Sequence, residues 1–166
     1  MIAEINKYVN QKKEIKGGEN FCGSACVAMI TGDDPQEVAD KIGTSAADNL
    51  LTDYLTAAGW TCKKITDGGS AKTSWGFVPT EKDYEAIRRA IEGGDVVLYH
   101  FAGWDKKSSG HYTICKGYEG KNIFVFNDPA GDRVKGYFND DGEDAKYTVD
   151  QLNAAGQKRC FAVWKE

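Results

Sequence analysis

Residues 20–30 read Asn20-Phe21-Cys22-Gly23-Ser24-Ala25-Cys26-Val27-Ala28-Met29-Ile30, a cysteine followed at once by small residues and then an apolar run. The run predicts a helix from about Cys22 to Ile30, stopped near Gly32. That places Cys22 at the first turn, where backbone N–H groups without intrahelical partners and the helix dipole favour negative sulfur and lower a thiol pKa. Cys26, one turn later, falls on the apolar stripe with Ala25, Met29 and Ile30 and reads as core. Gly23, Ser24 and Ala25 are small enough to let a substrate chain approach and to aim a backbone N–H at a developing oxyanion. Gly23 is therefore a candidate substrate-binding position.

Outward from this helix the signals alternate cap and stop. Asp34, Pro35 and Glu37 open a second helix that ends at Gly43. Ser45 with Asp48 suggests the cap of a third helix, whose Leu50, Leu51, Tyr54, Leu55 and Ala58 recur at helical spacing. Residues 61–65 suit a short strand and residues 67–79 a loop carrying Trp75 and Phe77. A fourth helix spans about 81–92, capped by Thr80. Strands are expected at about 95–101, 111–117 and 122–127, the last two forming a hairpin through Gly117–Lys121. A polar loop, a short helix capped by Thr148 and Gln151, and a strand over 159–164 complete the chain. Helices first and strands later make an α+β fold, a helical N-terminal half packed on an antiparallel sheet formed by the C-terminal half.

A thiol nucleophile needs a base that later acts as an acid, and the chain has only two histidines. His111 opens a strand directly after Ser108, Ser109 and Gly110, which sets its ring at the rim of a cleft. His100 lies inside the apolar strand Val96–Phe101 and reads as structural. Asp128 follows the hairpin partner of the His111 strand. Antiparallel pairing brings the start of one strand beside the end of the next, so Asp128 can orient the imidazole.

The 166 residues, with 41% hydrophobic and 28% charged side chains, suit one domain, 1–166, able to bury about two-thirds of its unfolded surface. No stretch approaches the roughly 20 apolar residues of a membrane span. The first residues lack the pattern of a secretory signal, which implies cytoplasmic synthesis. A net charge of -4 offers no broad attraction for nucleic acid. The five cysteines, at 22, 26, 62, 115 and 160, form no CxxC pair and read as reduced thiols, with 62, 115 and 160 inside apolar strands. Zinc ligation by Cys22, Cys26, His111 and Cys115 is disfavoured, because strand residues four apart stand roughly 13 Å from one another. The acidic run 139–144 lacks the glutamate spacing of a calcium loop and reads as a solvated turn. No metal or organic cofactor is expected.

The ordered set Cys22-Gly23, Ala28-Met29-Ile30, Gly110-His111, Gly117-Tyr118 and Asn127-Asp128-Pro129-Ala130-Gly131 resembles the papain-like cysteine peptidases. It is most similar to the branch holding the leader-cleaving peptidase domains of bacteriocin transporters and their small bacterial and phage relatives. The resemblance covers roughly residues 20–131. It implies Cys22 as nucleophile, His111 as general acid/base and Asp128 as orienting acid. It also implies an oxyanion-stabilising Gln about six residues before the nucleophile, where this chain has Lys16. Gln11 can fill that role if Lys16-Gly17-Gly18-Glu19 is a short insertion; Asn20 or backbone alone are the alternatives.

Trp104, with Trp75, is a candidate cleft wall, and Asn20 and Gly110 are candidate substrate contacts. The expected substrate is a peptide or a peptidoglycan-like amide, acted on by a monomer released through lysis or a dedicated secretion system. Deamidation and acyl transfer use the same thioester chemistry, and a module keeping the fold without turnover is the alternative outside enzymes.

Overall fold

The computed structural model describes residues 5, 7–44, 46–66, 71–72, 77–103 and 110–165, with backbone alone at 71–72. Trp75, Trp104, Ser45, Ser108 and Ser109 lie outside the described residues, and so do the expectations attached to them. The elements run α1 (Gln11–Glu14), α2 (Cys22–Thr31), α3 (Pro35–Ile42), α4 (Asp48–Ala57), β1 (Trp60–Thr66), β2 (Ala71–Lys72), β3 (Phe77–Val78), α5 (Glu81–Glu92), β4 (Val96–Phe101), β5 (His111–Glu119), β6 (Ile123–Asn127), β7 (Ala145–Thr148), α6 (Val149–Ala155) and β8 (Cys160–Lys165). The fold is α+β, with the N-terminal helices on an antiparallel six-stranded sheet of order β1-β8-β4-β5-β6-β7.

The sheet is covered on both faces, which is why β4 is apolar at nearly every position instead of alternating. Val96, Leu98, Tyr112 and Ile114 pack under α2, α3 and α4, with Met29, Leu51 and Leu55. Val97, Tyr99, Phe101 and Cys115 pack under α5 and α6, with Tyr84, Ile87 and Leu152. Cys26, Cys115 and Cys160 are fully buried core residues, while Cys62 is half-buried.

The caps form largely where the sequence puts them. Asp34 accepts from the Glu37 N–H, and Thr80 and Thr148 close capping boxes with Asp83 and Gln151. The third helix differs. Ala47 is its N-cap and supplies no side-chain bond, and the Asp48 carboxylate accepts from Tyr112 and Arg159 in the sheet region. Leu50 is exposed.

The hairpin also differs from its expected form. β5 runs to Glu119, so the turn is Gly120–Asn122, with Gly120 in the left-handed region (φ 59°). A bulge between Cys115 and Gly117 sets the register to Ile114 opposite Asn127. A one-residue slip would turn every β6 side chain to the opposite face.

The stretch after Asp128, expected to be an irregular polar loop, contains a 3-10 turn (Arg133–Lys135) and the edge strand β7. In β7, Ala145 and Tyr147 point inward while Lys146 and Thr148 are exposed. The acidic turn is solvated at Asp140 and Asp141 but docked at Gly142, whose carbonyl accepts the Asp128 N–H at 2.8 Å.

Candidate active site

Cys22 is the first residue of α2. Phe21 holds the N-cap position without a side-chain cap, so no side chain competes for the first-turn N–H groups beside the thiol. The Tyr112 backbone N–H donates to Cys22 Sγ at 3.5 Å. His111, the first residue of β5, hydrogen-bonds Cys22 on one side and, through Nε2, Asp128 Oδ1 at 2.7 Å on the other. The ring nitrogen left to face the thiol is Nδ1. The structure thus brings Cys22, His111 and Asp128 together, residues that the sequence separates by some ninety and seventeen positions.

Electrostatics favour a charge-separated pair. Burial works to raise the Cys22 thiol, but the hydrogen bond and positive charge of His111, with the Tyr112 and Gly23 amides, outweigh it and hold the thiol below its ordinary value. Burial likewise opposes charge on His111, yet the charge and hydrogen bond of Asp128, followed by those of Cys22, push the imidazole up to about 10. The other thiols move the opposite way. Burial raises Cys62 to about 11 and Cys160 to about 12, and raises Cys26 and Cys115 as well.

Asp128 is fully buried, and its environment is the part that sequence reasoning missed. Oδ2 accepts from the hydroxyls of Tyr147 (2.7 Å) and Tyr137 (3.2 Å), and Oδ1 also accepts the Ala130 N–H at 3.0 Å. Tyr8 donates to the Asp128 carbonyl at 2.7 Å. A buried carboxylate is tolerated only when its lone pairs are filled. Tyr147 could have been found from the alternation of residues 145–148; Tyr8 and Tyr137 carry no local signal.

A cavity of about 500 Å³ opens over these groups, lined among others by Gln11, Asn20, Cys22, Gly110, His111 and Tyr137. Lys16 is on the surface, its N–H donating to Gln36, and is not part of the lining. Gln11 is part of it. Gly17 takes a left-handed φ of 68°, and Gly18 packs where a Cβ would overlap the Gln11 carbonyl, so the loop folds back and carries Gln11 to the cleft. The Gln11 Nε2 donates to the carbonyls of Gly18 (2.8 Å) and Glu19 (3.1 Å), while its Oε1 is buried with no hydrogen-bond partner among the described residues. Asn20 is exposed at the cavity edge.

The two glycines singled out earlier are both at close packing contacts. A Cβ on Gly23 would sit 2.9 Å from Leu51 Cδ2, and one on Gly110 would sit 2.8 Å from His100 Nε2. His100 is buried, stacked on Tyr112 with centroids 3.9 Å apart. Its Nδ1 stands 3.2 Å from Asp48 Oδ1, off the line of a good hydrogen bond.

A thiol on a helix N-terminus facing a His–Asp pair at the ends of two central strands of an antiparallel sheet defines a papain-like cysteine peptidase. The profile of the Peptidase_C39-like family matches residues 5–154, and the chain belongs to that family. Among solved structures it is similar in fold to a double glycine motif protease from an AMS/PCAT transporter, solved in complex with the leader peptide (12% identity, TM-score 0.61, 99% of this chain and 94% of that one). It is similar as well to the peptidase domain of Streptococcus ComA, a bi-functional ABC transporter involved in a quorum sensing pathway (13%, 0.63, 96% and 98%). The peptidase domain of Streptococcus mutans ComA also matches (10%, 0.54, 95% and 98%). No curated protein sequence matches the chain. Among the described residues no helix is long and apolar enough to cross a membrane.

Proposed function

We propose that the chain hydrolyses a peptide bond through a thioester on Cys22, with His111 as general acid/base and Asp128 as the group that orients and charges it. The observation that carries this reading is the hydrogen-bonded run from Cys22 and His111, on the lining of the cavity, to the buried Asp128 behind them. Attack by the thiolate sends electrons to the carbonyl oxygen, and the oxyanion is met by first-turn backbone N–H of α2 and by one Nε2–H of Gln11, which turns to it from the carbonyl of Gly18 or Glu19 that it serves in the free protein. His111, already protonated, gives its proton to the leaving amine. It then takes one from the water that hydrolyses the thioester.

The substrate class we propose is an extended peptide, in keeping with the leader peptide held by the structural relative. A peptidoglycan-like wall peptide presents the same amide chemistry. Purified protein is incubated with a peptide library that includes double-glycine sequences and, separately, with peptidoglycan, and products are read by mass spectrometry against Cys22→Ala. Cleavage of library peptides, lost in Cys22→Ala, supports the reading. Products from peptidoglycan alone would move the substrate to the wall. Turnover that survives in Cys22→Ala, or none with either substrate, would overturn it.

A further inference from the structure

Tyr112 holds a main-chain donor against the reactive sulfur, yet the ladder around it is incomplete. It pairs with His100 of β4, but β6 begins to pair only at Ile114, and the Tyr112 N–H is committed to Cys22 Sγ. β4 pairs with the residues on both sides of Tyr112, but on the side that faces Cys22 no β6 partner fixes the backbone, and the hold there falls to the side chain. The Tyr112 ring lies flat on His100, and its hydroxyl donates to Asp48 Oδ1. Asp48 is the first residue of α4, in the helical layer, whereas Tyr112 belongs to the sheet. Its other oxygen is ion-paired with Nε of Arg159, just before β8. Burial would raise the Asp48 carboxyl, but His100, Tyr112 and Arg159 hold it well below its usual range, so the clamp is anionic. With its side chain 12% exposed, Asp48 spans the wall of the cavity that joins helices to sheet.

We propose that Asp48 is a positioning residue for the reaction: by fixing the Tyr112 side chain it holds the Tyr112 N–H against the Cys22 sulfur. This rests on the reading of Cys22 as the nucleophile. The groups that set the charge of the sulfur are His111 and Tyr112 from β5 and Gly23 from α2; Asp128 acts behind them by charging His111, and Cys26, one turn along α2, is held neutral by burial. Asp48 is not among them and acts through Tyr112. The direction of its effect separates positioning from direct electrostatics. Removing a negative charge near the site would by itself lower the thiol pKa, whereas releasing the N–H raises it.

The test is the pH dependence of iodoacetamide labelling of Cys22, read by peptide mass spectrometry on the whole chain, which needs no substrate. In Asp48→Ala and in Tyr112→Phe the midpoint moves up by about one pH unit. The double variant moves no further, and Asp48→Asn, which still accepts the tyrosine hydroxyl, stays close to the parent. Should Asp48→Ala fail to fold, Tyr112→Phe decides, since it keeps the ring stack. A midpoint in folded Tyr112→Phe that is unchanged or lower overturns the proposal. If Cys22 of the unaltered protein itself labels only near an ordinary thiol pH, the fault lies with the nucleophile assignment instead.

Discussion

Replacing Asp128 with Asn removes one charge from the buried pair and leaves its shape. The contact is 2.7 Å between Nε2 and Oδ1. Taking the charge centres at about 4 Å and an effective dielectric near 20, the attraction is about 4 kcal/mol, equivalent to about three pH units on the imidazole. This is the right size for a histidine raised from 6.5 to about 10 against the opposing effect of burial.

The sign follows directly: Asp128 favours the protonated ring, so its loss lowers the pKa. Cys22 remains, and its pull keeps some of the rise. The His111 titration in Asp128→Asn is therefore expected to fall by about two pH units or more. The chain contains two histidines, so nitrogen-15 spectra of histidine-labelled protein follow both rings. His100 serves as internal reference, since burial, with Lys158 and Arg159, moves it below the ordinary range. In the unaltered protein, with the imidazole pushed up to about 10, His111 is expected to stay charged through pH 8. An Asp128→Asn protein whose His111 is still charged at about pH 9 would refute the claim that the carboxylate is what charges the ring. It would shift that role to the thiolate alone.

Gln11→Ala removes the amide whose Nε2 now serves the Gly18 and Glu19 carbonyls; with one of those N–H groups turning to the oxyanion in the transition state, the change is expected to lower kcat on the order of 100-fold with little change in KM. An unchanged kcat would leave the backbone as the whole oxyanion site. Gly23→Ala sets two effects against each other. Alanine gains up to about 1 kcal/mol of helix propensity, less at a first turn, while its methyl meets the fully buried Leu51 at 2.9 Å, and overpacking costs about 1–3 kcal/mol. The overpacking wins, so the thermal midpoint falls by a few degrees; a rise would mean that Leu51 rotates away freely.

How far the chain could be read without coordinates depended on the range of each interaction. The caps at Asp34, Thr80 and Thr148 and the helical spacing of Leu51 and Leu55 in α4 involve partners three or four residues apart, so sequence is sufficient for them. The meeting of His111 with Asp128 was also legible, because a hairpin turns sequence order into spatial neighbourhood. Ala47 instead of Ser45 at the cap of α4, the short strand β7 and the bulge after Cys115 were not, since each is settled by what packs across from it. The same holds around the site. The chain alone named the sulfur, the imidazole and the carboxylate that meet there. Tertiary structure alone decided that Gln11 enters the cleft over two glycines, that Tyr8, Tyr137 and Tyr147 surround Asp128, and that Asp48 reaches Tyr112 from the opposite layer. A buried polar group must find a partner somewhere, but which partner is set by the folding together of distant segments, and no local pattern records it.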